Sequence, residues 1–456
     1  RFMPAGDIPV NTDHPWDWRI YVFTFVVSAA AGVAAGLWPA LESSRVDLAR
    51  TLKEGGGPRS GFARHPVLDL LVVGQVTLSV VVLSCAALFW HSLSRMQGMA
   101  LGFRSENILM MSLDLGLQQY GEERGRRFLD QLLERTAALP GVRSSTLTQY
   151  VPFDYGIQIS EVATEGEIAG SKDGYVSSAF TVVGPRFFET TGTVVRRGRS
   201  LGPTDDERSP RVAVVNETMA RTLWPGADAV GKRFRLGRGG EWIAVVGVAG
   251  DGKYVMLAEA PRSYFYLPLA QNYRSPITLM VRSAGDPGSL VRPVQDVLRQ
   301  MDPDLPVFNV RTMDRHIRDS VFGLMPLRMA ATMAAVEGLL GLLLAVMGLY
   351  AVVSYSASQR VHEIGVRMAL GAPPHDVLRL VVGRGMRLAA TGVGVGLVFA
   401  VGAGLALSHV LYGIESVAAS VLAPVAILLL AVAALACYLP ARRATRVDPV
   451  VALRCE

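Results

Sequence analysis

The sequence predicts an α-helical integral membrane protein of about five spans with a large extracytoplasmic α/β domain. Half of the 456 residues are hydrophobic, and the mean hydropathy of +0.31 is high for a soluble protein. Stretches of spanning length, about 20 mostly apolar residues, occur at 21–41, 67–90, 327–355, 386–411 and 417–439. The roughly 230 residues between the second and third stretches have an ordinary soluble composition and can bury their own core.

Arginine and lysine residues cluster at three places, and each cluster adjoins a predicted span. The clusters contain Arg45, Arg50, Lys53, Arg59 and Arg64, then Arg360, Arg367, Arg379, Arg384 and Arg387, and finally Arg442, Arg443, Arg446 and Arg454. Cationic segments beside spans face the cytoplasm, so the domain between the second and third spans faces outward and every span alternates correctly. Because each cluster adjoins a span, the sequence argues against a nucleic-acid interface and for contact with membrane lipid.

The apolar pattern of the external domain predicts a mixed α/β fold. Predicted strands lie at 108–115, 142–147, 211–215, 242–248 and 307–310, and predicted helices at 122–139 and 290–301. We expect a loop-rich middle and two small subdomains, the first assembled from both ends of the domain. The acidic run at 205–207 is interpreted as a solvated turn, and the glycines at 237, 239 and 240 as a hairpin turn.

A pattern near the start of the chain recurs at its end with a constant offset of 401 residues. Pro39, Ala40, Ser44, Arg45, Val46, Asp47, Leu52 and Lys53 match Pro440, Ala441, Thr445, Arg446, Val447, Asp448, Leu453 and Arg454. We interpret the pattern as the same structural element occurring twice. In each copy, proline ends a spanning helix and the basic residues contact the lipid headgroups. The repeat predicts a protein of two units, with 1–63 as the last span and cytoplasmic tail of a preceding, truncated unit.

The segment QRVHEIGVRMALGA at 359–372 directly follows a predicted span. It mixes ionisable with apolar side chains, which indicates a short amphipathic helix at the cytoplasmic face of the membrane. A ridge of Ile364, Met368 and Leu370 would fit a groove, while Glu363 and Arg367 are spaced to pair along the helix. The alternative is a plain interfacial helix that binds only lipid.

Four segments together resemble the MacB/FtsX type of ABC permease, including its tandem-duplicated acidobacterial forms. They are EIGVRMALGA at 363–372, LPARRATRVDPVVALRCE at 439–456, FTVVGPRFFETTGTVVRRGRSL at 180–201 and VAVVNETMARTLWPGADAVGKRFRL at 212–236. The resemblance implies a first transmembrane helix at 64–103, a MacB-like periplasmic core domain at 104–322, and an FtsX-like permease domain with three transmembrane helices at 323–456. It also implies a multi-pass protein of the bacterial inner (plasma) membrane.

The same resemblance implies a permease that transmits motion driven by ATP hydrolysis in a separate nucleotide-binding subunit. That partner binds the ATP and Mg, and a second permease unit and a periplasmic adaptor are further implied partners. The residues implied to contact the ATPase are Arg360, Glu363, Ile364, Gly365, Arg367, Met368, Leu370, Gly371 and Ala372. The implied function is mechanotransmission for efflux or export of an amphiphilic substrate or lipoprotein. The alternatives are a membrane-anchored sensor or scaffold and an FtsX-like regulator of a cell-wall hydrolase.

The chain shows no acid, base or nucleophile cluster and no Walker A motif. We therefore expect it not to be an enzyme and to have no catalytic, cofactor-binding or metal-binding residues. Two features of the spans are candidate sites. Gly392, Gly396, Ala400 and Gly404 recur every four residues, which favours close helix packing within the subunit or at a dimer face. Glu337 is an acidic residue within a span and hence a functional candidate, with snorkelling toward water as the alternative.

Overall fold

The computed structural model describes residues 18–19, 21–29, 66–166, 174–237, 239–358, 373–410 and 419–444. The chain divides into two compact units, Arg1–Pro66 and Val67–Glu456. In the first unit, residues 18–19 and 21–29 are helical. The rest of the predicted first span lies outside the described residues, as does the cytoplasmic tail expected up to residue 63.

The second unit contains nine α-helices and eleven strands among its described residues. In chain order they are α1 (Pro66–Gln97), β1 (Ile108–Asp114), α2 (Glu122–Ala137), β2 (Val142–Thr148), β3 (Gln158–Thr164), β4 (Val176–Val183), α3 (Phe187–Thr191), β5 (Val195–Gly198), β6 (Val212–Asn216), α4 (Glu217–Leu223), β7 (Arg233–Leu236), β8 (Trp242–Ala249), β9 (Tyr264–Pro268), β10 (Pro276–Ser283), α5 (Val291–Met301), β11 (Val307–Thr312), α6 (Met313–Asp319), α7 (Met325–Ser358), α8 (Pro374–Val410) and α9 (Ala419–Ala444). Short 3-10 turns at Leu115–Gln118 and Pro287–Leu290 precede α2 and α5.

Four of these helices, α1, α7, α8 and α9, are long and apolar enough to cross a membrane. The predicted membrane protein with a large external α/β domain is therefore confirmed. One detail is wrong: Pro440 does not end its helix but lies inside α9, which continues to Ala444. Proline removes a single N–H donor, and a spanning helix can continue past it where neighbouring groups satisfy the freed carbonyl.

All eleven strands of the external domain join one sheet. Strands from the two ends of the domain form one part, in the order β11-β1-β10-β2, as the sequence suggested. In the other part β4, β3, β7, β8, β6 and β9 pair in succession, and the parallel pairing of β9 with β4 closes them into a ring. The expectation of a loop-rich middle is wrong, because β3, β4, β5, β7 and β9 all lie there.

The external domain has two apolar cores. The first lies inside the ring and under α2 and α5, and includes Phe234, Phe265 and Leu132, each fully buried. The second joins the domain to the spans, because Leu93 of α1 and Leu327 of α7 belong to the same cluster as residues of β1 and β9. Two spans therefore enter the domain through a shared core, and their opposite ends lie on the far side of the membrane.

The acidic run at 205–207 differs from its expected form, whereas the glycine turn does not. Asp205 is buried rather than solvated, and its carboxylate accepts hydrogen bonds from Arg199 at 2.6 and 2.7 Å and from the Gly202 amide at 2.8 Å. The Arg199 hydrogen bonds lower the pKa of Asp205. The glycines at 237–240 connect β7 to β8, which pair as an antiparallel hairpin.

Candidate functional site

The predicted coupling segment, including Arg360, Glu363, Ile364, Gly365, Arg367, Met368, Leu370, Gly371 and Ala372, lies outside the described residues. Helix α7 ends at Ser358, and α8 begins at Pro374. Because α7 starts at the base of the external domain, its last turn lies at the cytoplasmic end of the bundle. The roles of these residues stay predictions.

An ion pair joins α1 to α8 near that cytoplasmic end. Nη2 of Arg384 lies 3.2 and 3.3 Å from the two carboxylate oxygens of Asp69. Both side chains are about four-fifths buried, with exposed fractions of 19% and 23%. Charged side chains at this depth are stable when paired, and each holds the other in place. Asp69 lies in the first turn of α1. The ion pair therefore fixes the start of α1 to α8, the helix that follows the predicted coupling segment.

The four small residues predicted for helix packing, Gly392, Gly396, Ala400 and Gly404, are all buried. A Cβ atom added at Gly392 would lie 2.8 Å from the Val76 Cβ, and one at Gly396 only 2.6 Å from the Val80 Cβ. The hydroxyl of Thr77 donates a hydrogen bond of 3.1 Å to the Gly392 carbonyl. At Gly392 and Gly396, helix α8 therefore approaches α1 closely enough that side chains larger than hydrogen do not fit.

Helix α7 approaches α1 from another side through a second row of small residues. Added Cβ atoms would lie 2.7 Å from Leu83 at Gly338, 3.1 Å from the Ser79 hydroxyl at Gly341, and 2.7 Å from the Gln75 side chain at Gly348. The sequence analysis missed this row, although its spacing of three and seven residues was readable as a packing face. Helix α1 is thus in close contact with both α7 and α8.

Glu337 lies on the part of α7 that faces away from these contacts. Its side chain is exposed, as are those of Met333, Val336 and Leu340, which are 60%, 60% and 56% accessible. The structure therefore shows no intramolecular partner for it among the described residues, and its functional role stays a prediction.

The base of the external domain is connected to α7 through the short helix α6. Nε2 of His316 donates to the Pro152 carbonyl at 2.9 Å, and the Ser320 hydroxyl donates to the Phe153 carbonyl. Phe322 packs edge-on against Tyr155, with ring centroids 5.3 Å apart. The chain at 152–155 is therefore fixed to the segment that leads into α7, and no sequence pattern predicted this connection.

A small, partly open cavity of about 20 Å³ lies beside this connection. Its walls are formed by Gly102, Phe103, Tyr150, Pro152, Thr181, Phe187, Thr191, Thr193, Gly252, Tyr254, Tyr264, Tyr266, Met280 and Met313. Burial raises the pKa of Tyr254 to about 12 and the pKa values of Tyr264 and Tyr266 well above the ordinary value. The phenols therefore stay neutral at physiological pH, and the cavity presents ring faces and hydroxyls rather than charge.

Within the part of the chain that the structure describes, no three histidine, cysteine, aspartate or glutamate side chains come together as a metal site could require. The polar contacts described above hold helices and loops to one another.

Two family models match the chain in succession. The MacB-like periplasmic core domain matches residues 93–298, and the FtsX-like permease C-terminal model matches residues 335–449. The chain belongs to the MacB/FtsX-type ABC permeases. As a MacB/FtsX-type permease it is a multi-pass membrane protein with a periplasmic domain, and its family implies an ATPase partner. Both matched models describe permease regions.

Curated relatives of this MacB/FtsX-type permease include exporters that carry ATP-binding and permease parts in one protein. The macrolide export ATP-binding/permease protein MacB of Hahella chejuensis is 27% identical over 62% of this chain and 43% of the relative. The probable syringafactin export ATP-binding/permease protein SyfD of Pseudomonas syringae pv. tomato is 24% identical over 71% of this chain and 46% of the relative. The chain thus spans less than half the length of these relatives.

A solved structure, the periplasmic region of MacB from Actinobacillus actinomycetemcomitans, aligns with 48% of this chain and 95% of its own length. The sequence identity is 14% and the TM-score is 0.34.

Sequence reasoning located the spans and the small residues of α8 but missed Asp69, His316 and Ser320. Asp69 was detectable in principle, because a single carboxylate beside the start of an apolar stretch needs a partner. The partner Arg384 was counted only as one of the cytoplasmic charges. His316 and Ser320 sit in an ordinary amphipathic turn, and nothing in the local sequence distinguishes them from surface residues.

Proposed function

We propose that this chain is a mechanotransmitting permease that carries ATP-driven movement from the cytoplasm to the periplasmic domain. The observation that carries the proposal is the path of α1, which contacts α8 at the cytoplasmic end and enters the core of the periplasmic domain at the other. A helix packed along its length moves as a rigid body, so a displacement at one end reaches the other.

Two branches of this path leave the cytoplasmic end. In the first, movement of the predicted coupling segment displaces α8, and the Asp69–Arg384 pair passes the displacement to α1 and on to Leu93 at the domain base. In the second, movement of α7 displaces α6, which is hydrogen-bonded to the loop at 152–153. Because that loop borders the tyrosine-lined cavity, both branches end at the same region of the domain.

We further propose that the transported substrate is an amphiphile or a lipoprotein and that the direction is export across the bacterial inner membrane. The relatives named above, which include a macrolide exporter and a probable syringafactin exporter, support the export of amphiphilic molecules. The second permease unit and a periplasmic adaptor remain part of this proposal.

The ATPase partner is proposed to be a separate nucleotide-binding subunit that holds the ATP and Mg and contacts Arg360, Glu363, Ile364, Gly365, Arg367, Met368, Leu370, Gly371 and Ala372. In this arrangement the apolar ridge of Ile364, Met368 and Leu370 enters a groove of the subunit.

The test is capture of the detergent-solubilised chain with and without a non-hydrolysable ATP analogue, followed by mass spectrometry. The wild-type chain should retain a nucleotide-binding subunit, and Met368→Asp with Leu370→Asp should lose it because two carboxylates replace apolar contacts. The matched control is Leu117→Asp with Val194→Asp, two residues that are 55% and 60% exposed on the periplasmic domain.

The control variant should retain the subunit and its ATP dependence. Equal retention by the Met368/Leu370 variant would show that the coupling segment is misplaced. Recovery of periplasmic proteins alone, with no nucleotide-binding subunit from any variant, would favour the sensor or scaffold.

A further inference from the structure

Four arginines, Arg104, Arg143, Arg186 and Arg282, lie together on the periplasmic domain. Arg282 on β10 holds the group together, because its guanidinium donates to the Arg104 carbonyl at 2.9 Å and to the Thr190 carbonyl at 2.6 Å. Arg186 donates to the Arg143 carbonyl at 3.4 Å. The backbone of Arg186 is left-handed, with φ of 58°, a conformation that non-glycine residues adopt mainly where the surroundings enforce it.

The cluster lies close to the point where α1 leaves the membrane. Helix α1 ends at Gln97, and the amide of Arg104 donates to the Thr191 carbonyl at 2.8 Å. Phe187 and Phe188, which directly follow Arg186, belong to the same apolar cluster as Leu93 in the last turns of α1. The arginines are therefore placed near the periplasmic surface of the membrane, where phospholipid headgroups begin.

Among the described residues, carboxylates balance only part of the positive charge of the cluster. Glu189 is paired with Arg186 at 2.7 Å, and this hydrogen bond lowers the pKa of Glu189. Glu106 lies nearby and offers its carbonyl to Arg282 at 3.0 Å. Burial and the charges of Arg104 and Arg143 lower the pKa of Arg282, although the charge of Glu106 acts in the opposite direction.

Neither Arg104 nor Arg143 has a carboxylate within ion-pair distance among the residues that the structure describes. Both side chains are exposed. The stem of Arg104 crosses Gly192, where an added Cβ would lie 3.1 Å from its Cγ and Cδ atoms, so the packing of this loop restricts the direction of the side chain. The guanidinium groups of Arg104 and Arg143 are thus free to bind a ligand, and that of Arg282 lies partly buried beside them. A phosphate group accepts several charge-assisted hydrogen bonds and is a suitable ligand for such a group of arginines.

We propose that Arg104 and Arg143, positioned by Arg186 and Arg282, bind the phosphate of an anionic lipid headgroup at the periplasmic surface. The bound lipid holds the base of the domain at the membrane surface and restricts the movement of the C-terminal end of α1. Dissolved phosphate shares this chemistry, and the experiment separates the two sources. The proposal is independent of the ATPase partner and of the transported substrate.

The test is a titration of phosphatidylglycerol, and separately of phosphatidylcholine, into the detergent-solubilised full chain, read by native mass spectrometry. Arg104→Gln with Arg143→Gln should weaken phosphatidylglycerol binding by roughly 30-fold, about fivefold for each charge near the surface. Phosphatidylcholine binding should stay unchanged. Arg196→Gln with Arg197→Gln removes the same charge from β5, where the arginines already pair with Glu217 and Asp228, and should have little effect.

Folding is checked by the thermal midpoint of each variant in phosphatidylcholine alone. The midpoint should stay at the wild-type value. Arg282 and Arg186 donate their hydrogen bonds to the backbone carbonyls of Arg104 and Arg143, and the substitutions leave those carbonyls in place. Equal losses in the β5 variant, or equally tight binding of phosphatidylcholine, would overturn the proposal. Displacement of the lipid by inorganic phosphate would support the phosphate site and assign it to dissolved phosphate, whereas no displacement would assign it to the headgroup.

Discussion

The periplasmic domain packs through large side chains, whereas the contacts of α1 with its neighbours in the membrane use small ones. The domain buries Phe153, Phe234 and Phe265 completely, in two separate cores. In the bundle, α7 and α8 each bring a row of glycines against α1. Cores of large interlocking side chains resist deformation, and small residues let helix backbones approach closely. In the proposed function, the domain moves as a body and the bundle moves it.

The polar contacts follow the same division. Within the domain, side chains hold loops in fixed places, as Ser320 and His316 do for the chain at 152–153. Between α1 and α8 the described residues form one ion pair and one hydrogen bond, which Thr77 donates. Few directional contacts on a close-packed surface permit two nearby arrangements, as the proposed transmission of movement requires.

The largest loss of stability is expected at Gly396, where α8 packs closely against α1. Gly396→Leu should destabilise the bundle by about 3 kcal/mol, because the new side chain has to displace Val80 and the backbone of α1. The measurement is the free energy of unfolding in mixed micelles. Gly394→Leu is the matched control, since that position on the same helix is exposed and nothing lies within 4 Å of its added Cβ.

The control should stay near the wild-type value. A similar loss at both positions would mean that leucine is costly anywhere in this helix. The close approach of α8 to α1 would then not explain the small residues.

The same region shows what the sequence could and could not predict. The spacing of Gly392 and Gly396 indicated a packing face, because a period of four residues is a property of the helix itself. It could not say which helix lies opposite, and the contact with α1 joins residues more than 300 positions apart. Four strands of the ring, β3, β4, β7 and β9, were missed for a related reason. Most residues of β4 and all of β9 are buried, so their sequences do not alternate between apolar and polar residues, and a run such as YFYLP is recognisable as a strand only beside its partner strands.

A smaller loss of stability is expected when the Asp69–Arg384 ion pair between α1 and α8 is removed. Asp69→Asn and Arg384→Gln should each destabilise the bundle, and together they should cost less than the sum. The expected coupling energy is about 1 kcal/mol, since the two groups are mostly buried yet still reached by water. Arg387→Gln is the control, because Arg387 is exposed and donates only to the Gly383 carbonyl.

The double-mutant cycle is measured as unfolding free energy, and ATPase stimulation is measured alongside it. Additive losses would show that the pair does not link the helices. Reduced stimulation in both single variants, with partial recovery in the exchanged pair Asp69→Arg with Arg384→Asp, would support its place in the transmission path.

The smallest effect is expected at the domain base and depends on pH. Burial and the nearby Arg311 lower the pKa of His316 below its ordinary value of 6.5, although the Pro152 hydrogen bond and Asp154 act in the opposite direction. The folded protein therefore holds His316 neutral at a pH where the unfolded chain takes up a proton. Stability is fully present above about pH 6.5 and falls as the pH drops toward the folded pKa.

Unfolding of the full chain in nanodiscs, followed from about pH 7.5 to about 5.5, should lose at most about 1.4 kcal/mol per pH unit from this group. His316→Gln keeps a donor for the Pro152 carbonyl but cannot titrate, so its profile should be flatter in that interval. An unchanged slope would assign the pH dependence to other groups. A flatter one would show that the pH dependence comes from His316, whose charged form is disfavoured by burial and by Arg311.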